Sequence, residues 1–120
     1  MAEILIKRVY DSPASGDGFR VLVDRLWPRG MTKEKVDAVL WLKEVAPSNE
    51  LRQWFNHDPA KWEEFKSRYI AELAGEQESV KKILDLAARG TVTLLYGSRE
   101  EKMNQAVVLR EYLMMKMGMV

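Results

Sequence analysis

The residues best equipped for chemistry are crowded into one short stretch, Asp24-Arg25-Leu26-Trp27-Pro28-Arg29-Gly30. Two guanidiniums flank an indole and a rigid turn, with a carboxylate immediately before them. Paired arginines suit a phosphate or carboxylate, which they grip bidentately, and an indole stacks on a planar group. Asp24 is the candidate general base, or the carboxylate that orients Arg25. The competing reading is structural, with one arginine salt-bridged to Asp24 or to a helix acid and Trp27 in the core.

What positions this stretch is the run before it. Phe19, Val21, Leu22 and Val23 show almost no polar alternation, as expected of a central parallel strand covered on both faces. Open α/β sheets hold their ligands in crevices outside the carboxyl ends of such strands. Two other segments are expected to end at the same edge. One is a third strand over residues 36–45, which would bring Lys43 and Ser48 there, although a helix competes for this segment. The other is the β-branched and aromatic run Thr91 to Tyr96, followed by Gly97 and Ser98. Tyr96 and Ser98 thus join the candidate ligand-binding residues, and Arg52, one turn into the next helix, adds positive charge. Ser98-Arg99-Glu100-Glu101 has the capping-box pattern of a helix start, which would supply oriented N–H donors beside the strand end.

His57 is the sole histidine, so a histidine-based metal site is impossible. It remains a candidate lone acid or base, set against a bland role in the turn before Asp58-Pro59. With no cysteine in the chain, disulfides, thiolate nucleophiles and cysteine metal sites are excluded. No metal, no cofactor and none of the familiar phosphate-loop, dinucleotide, zinc-protease or nucleophile-elbow motifs is expected.

The remaining elements follow from pattern. Residues 4–9 read as a first strand, and the turn-rich DSPASGDG after it is too short for an ordinary crossover helix. The first two strands are therefore either antiparallel, or parallel with an abbreviated crossover. Thr32 caps at most a short helix. Ser48 starts a helix burying Leu51, Trp54 and Phe55. Asp58 with Pro59 starts another, carrying Trp62, Phe65, Tyr69, Ile70 and Leu73 inward and Glu63, Glu64 and Lys66 outward. A third helix buries Val80, Ile83, Leu84 and Ala87 and closes at Gly90. The last carries Met103, Ala106, Val107, Leu113, Met114 and Met117 on its apolar face.

This order gives one α/β domain over residues 1–120, a single layered unit with a small, mostly parallel sheet of about four strands and helices packed on it. The net charge of +1 shows no basic excess for nonspecific nucleic-acid binding, so any anion affinity must come from local clustering. Met1 to Val9 is a charge-interrupted β pattern rather than a secretory signal, and no run approaches a membrane span, so a cytoplasmic location is expected.

Several blocks are more specific than pattern. RVYDSP at 8–13, RVLVDRLWPRG at 20–30, WLKEVAPSNELRQWFNHDPAKWEEF at 41–65, RYIAEL at 68–73 and TLLYGSREEKMNQAVVL at 93–109 together resemble the YeaO-like proteins, a branch of the bacterial domain of unknown function 488. The resemblance implies a compact α/β sandwich and carries no established activity. It places family motif positions on Arg8, Asp24, Arg25, Trp27, Arg29, Trp41, Lys43, Ser48, Arg52, His57, Asp58, Tyr69, Tyr96 and Asn104, among others. Another branch of the family is similar but has cysteines after the last strand, and no cysteine mechanism can transfer to this chain.

Three functions are compatible with these features. One is binding, or transformation, of a small anionic, ring-containing ligand such as a nucleotide derivative. The second is a non-catalytic module for a protein or single-stranded nucleic acid. The third is a scaffold that the arginines and tryptophans merely brace.

Overall fold

In a computed structural model the described residues are 3–118, so Met1 and Ala2 of the amino-terminal β pattern lie outside them. Four strands, β1 (Ile4–Arg8), β2 (Phe19–Leu22), β3 (Leu40–Trp41) and β4 (Val92–Tyr96), form one sheet in the order β1-β4-β2-β3. Every pairing is parallel. The question left open for the first two strands is settled by β4, which lies between them and is parallel to both. Residues 9–18, with one 3-10 turn at Ser15–Asp17, suffice for the crossover because they need only run back along a short strand.

Alternation divides the sheet into two apolar layers. Val21, Val23, Val92, Leu94 and Tyr96 face the main core, where helices α2 (Asn49–Phe55), α3 (Trp62–Ala74), α4 (Gln77–Ala87) and α5 (Gln105–Lys116) pack. Val9, Leu22 and Leu95 face the other way, under Val36 of the short helix α1 (Lys33–Val36) and the half-buried Met31 and Trp41. The central strands are covered on both faces, and the protein is a single α/β domain.

The second face carries a buried polar cluster. Arg20 and Asp17, 3% and 6% exposed, pair at 2.5 Å, and Lys7 Nζ donates to both Asp17 carboxylate oxygens at 3.0 Å. The Ala14 backbone N–H also donates to Asp17. The rest of the Arg20 guanidinium donates to the carbonyls of Val36 and Asp37, while Thr93 Oγ1 donates to the Asp17 carbonyl. One ion pair therefore ties the first two crossover connections to the sheet. Next to it, Gly18 has φ +63, and a Cβ there would stand 2.1 Å from the Thr91 carbonyl oxygen, so no side chain fits.

Several boundaries differ from the sequence reading. Residues 36–45 are not one strand. Val36 ends α1 behind its Thr32 cap, Asp37 is left-handed, only Leu40–Trp41 pair with β2, and Lys43–Val45 is a 3-10 turn. Ahead of β3 the helical turn at Val36 and the left-handed Asp37 keep the chain out of the ladder, and Arg20 donates to the carbonyls of both. Ser98 does not start the last helix. Its hydroxyl accepts from the Glu100 N–H, and α5 is capped six residues later by Asn104, whose side chain accepts from the N–H groups of Ala106 and Val107. The buried face of α5 is then Ala106, Val108, Leu109, Tyr112 and Leu113 rather than the methionines. Gly90 does not serve as a left-handed cap, since α4 ends through Ala88 in right-handed geometry. In α3, Phe65, Tyr69 and Leu73 are buried, but Ile70 is 38% exposed, and Trp62 stacks on Phe65 and tilts against Phe55 instead of reaching the sheet. Trp54 is half-buried, packed against the edge of the core with Lys61 and Arg68 over its ring.

Candidate functional site

Because all strands are parallel, their carboxyl ends share one edge, and a cleft of about 690 Å³ opens there. Its walls come from four places: the loop after β2 (Asp24, Arg25, Leu26), the segment from Ala46 through α2 to Pro59, Phe65 of α3, and the loop from Ser98 to the start of α5. Ala46, Pro47, Phe55, Phe65 and Met103 make much of the lining apolar, and Leu26, 64% exposed, stands at the lip.

Asp24 is held from three sides. Its backbone carbonyl accepts from Trp41 Nε1 at 2.8 Å, Oδ2 accepts from the Gly97 N–H at 2.8 Å, and Oδ1 accepts from the Gln105 side-chain amide. Burial pushes its carboxyl up to about 6, although the Gly97 N–H, the charge of Arg52 and the Gln105 amide all pull the other way. A folded-state value above the ordinary 3.8 means that the native state binds this proton more tightly than the unfolded chain does. Its stabilising contribution is complete below pH 3.8 and is lost as pH rises through about 6. Asp24→Asn is therefore expected to raise stability at pH 7.5 by about 1–3 kcal/mol and to leave it nearly unchanged at pH 3.5, as checked by urea denaturation at the two pH values. Loss of stability at both would show the carboxylate to be a net structural asset.

Three arginines line the same cleft: Arg25, Arg52 and Arg99. Arg25 is aimed by two backbone carbonyls, those of Ala46 at 3.1 Å and Pro47 at 3.3 Å. Arg52 donates a hydrogen bond to the Asn49 side chain at 3.3 Å. Among the described residues no carboxylate oxygen lies within 4.0 Å of any of the three guanidiniums. His57 stands exposed at the rim, 6.3 Å from the Phe55 ring. Asn56 and His57 both have positive φ, 46° and 55°, an uncommon conformation for two successive non-glycine residues.

The structure thus brings together Asp24, Arg25, Arg52, His57 and Ser98 and leaves the other sequence candidates outside. Trp27 Nε1 donates to the Met31 carbonyl, and its ring meets Trp41 edge-on at 5.3 Å, away from the cleft. Arg29 is exposed, its backbone carbonyl accepting from the Tyr10 hydroxyl. Lys43 sits over the Trp41 ring at 4.4 Å. Ser48 caps α2 and hydrogen-bonds Glu72 at 2.6 Å. Tyr96 is in the core, where burial and the charge of Glu101 push its phenol up. The Gly97 N–H at the same strand end is taken by Asp24. Sequence reasoning missed Arg99 and Gln105 as cleft residues because it placed the helix start at Ser98. Phe55 and Phe65 are in the core, as their pattern predicted, and also border the cleft. Among the described residues no three His, Asp or Glu side chains converge as a metal ion would require. No helix among them is long and apolar enough to cross a membrane.

A wholly parallel α/β sheet with a cleft at its carboxyl edge is the class of protein that fold and site define. A family profile described as the inactive DUF488-N3 subclade matches residues 3–119. Over 110 residues the chain is 42% identical to the uncharacterized protein YeaO of Escherichia coli strain K12, an overlap of 92% of this chain and 96% of that one. It is 39% identical over 110 residues to the uncharacterized proteins Rv3073c of Mycobacterium tuberculosis and Mb3100c of Mycobacterium bovis, covering 92% of each chain. The chain belongs to the YeaO-like branch of the domain of unknown function 488 family. No solved structure matches it.

Proposed function

We propose that this chain is a binding protein for a small anionic, ring-containing molecule, such as a nucleotide derivative, working in the cytoplasm. The observation that carries the reading is the set of three guanidiniums without carboxylate partners in one largely apolar cleft. Arginines left unpaired beside apolar surface suit an oxyanion attached to a ring. The cleft's volume falls within the range of about 300–1,000 Å³ usual for small-ligand sites. Holding a ligand without turning it over also agrees with the description of the matching subclade as inactive.

A second reading, acid–base chemistry at Asp24 with His57 at the rim, is favoured by the carboxyl value of about 6. The alternative of a flat surface for a protein or single-stranded nucleic acid has less in its favour, because the guanidiniums line a concavity.

The test is calorimetric titration with nucleoside monophosphates and inorganic phosphate at low ionic strength. A dissociation constant of order 10⁻⁵ to 10⁻³ M is expected, weakening as salt screens the arginines. Absence of binding heat from every such ligand at millimolar concentration, confirmed by an independent method, would rule the reading out.

A further inference from the structure

The ligand-binding reading leaves one cleft group without a counterpart, the Asp24 carboxylate. Each of its oxygens accepts a single hydrogen bond, from Gly97 and from Gln105 respectively. An ionised carboxylate has about four lone-pair sites, so roughly half its accepting capacity is unused. No cationic side chain lies within 4.0 Å of it among the described residues. Arg25, its neighbour in sequence, is tied to the carbonyls of Ala46 and Pro47, and Arg52, whose charge reaches it, to Asn49. Gln105 lines the same cleft and gives Asp24 one of its two amide hydrogens, leaving the other and its carbonyl oxygen for a ligand.

This is an acceptor surface, rigidly fixed and set in apolar walls, at some remove in chemistry from the guanidiniums around it. Its complement is a group that donates two adjacent hydrogen bonds. We propose that Asp24 and Gln105 read the edge of a heterocycle bearing adjacent N–H donors, of the guanine type, on a ligand whose anionic group is held by the cleft arginines. The inference rests on the ligand-binding reading and deepens it by naming the ring. An N–H and a neighbouring exocyclic amino group satisfy a carboxylate bidentately, as a guanidinium does. An adenine edge instead sets a ring acceptor against the carboxylate, and a site built for donors rejects a ligand that cannot supply them.

The experiment is a set of titrations at pH 7.5 with guanosine monophosphate, adenosine monophosphate and ribose 5-phosphate. The guanine nucleotide is expected to bind at least tenfold more tightly than the other two. Asp24→Asn should bring its affinity down to that of adenosine monophosphate while ribose 5-phosphate binding does not weaken, which separates ring reading from a loss of fold. Gln105→Leu, which spares the carboxylate, should weaken the guanine nucleotide several-fold. Equal or tighter binding of the adenine nucleotide, with ribose 5-phosphate still bound, overturns the inference and leaves the ligand-binding reading standing. Failure of all three to bind overturns both.

Discussion

Asp17→Ala is expected to cost about 3–5 kcal/mol of unfolding free energy at pH 7, the size seen when one partner of a buried ion pair is removed. Arg20 is 3% exposed, so its guanidinium is left without a counter-ion in a largely dry setting once the carboxylate is gone. The carbonyls of Val36 and Asp37 still accept from it, but they carry no formal charge. Lys7 loses the same partner, and the Ala14 N–H loses its acceptor. Burial alone raises the Asp17 carboxyl, but the Ala14 N–H, Lys7 and Arg20 outweigh it and hold the group below its usual value. A depressed carboxyl contributes stability that is present above its unfolded value of 3.8 and lost as pH falls through the folded one. Acid should therefore erode wild-type stability below about pH 4 more than it erodes the variant's, narrowing the gap between them. A loss under about 1 kcal/mol at pH 7 would show that the two carbonyls suffice for Arg20.

The second large effect belongs to the cleft. A charge-assisted hydrogen bond to an oxyanion is worth about 1.5–3 kcal/mol, so removing one guanidinium should weaken nucleotide binding by roughly 10- to 100-fold. Arg52→Gln and Arg99→Gln are the informative variants because both side chains are exposed and carry little of the fold. Arg25 is a poorer choice, since its loss would free the Ala46 and Pro47 carbonyls and disturb the wall itself. The double variant is expected to bind a nucleotide hardly at all. Arg29→Gln, outside the cleft, should change affinity less than about twofold through long-range screening alone. Similar losses from Arg29 and Arg52 would mean that the anion feels net charge rather than a site.

How far the sequence foretold this arrangement differs by element. The α/β class and the shared carboxyl edge were readable because the buried strand runs and the cap signals at Thr32, Ser48 and Asp58 are local properties. Strand order was not, since nothing in residues 4–9 or 91–96 says that β4 will slide between β1 and β2. Arg20 misled most. Its charge sits inside an apolar run, and only the fold shows that it is buried and that it donates to the carbonyls of Val36 and Asp37, ahead of β3. Within the site, Asp24 and Arg25 were legible from their place after the strand, and Arg52 from its helical turn. Arg99 and Gln105 were not, because the Ser98 hydroxyl makes a tight local turn with Glu100 in place of the helix cap its pattern suggests. Trp27 and Tyr96 looked like ring platforms by residue type, yet each has a packing partner that type alone cannot reveal.

The most direct test of the central claim is a crystal structure of the protein soaked with a nucleoside monophosphate. The account predicts the phosphate in the strand-end cleft, its oxygens about 3 Å from guanidinium nitrogens of Arg52, Arg99 or Arg25, and the ring between Phe55 and Met103 with its edge toward Asp24. A fully occupied nucleotide elsewhere, such as on the Trp27–Trp41 surface, with the cleft arginines turned onto protein carboxylates, would contradict it.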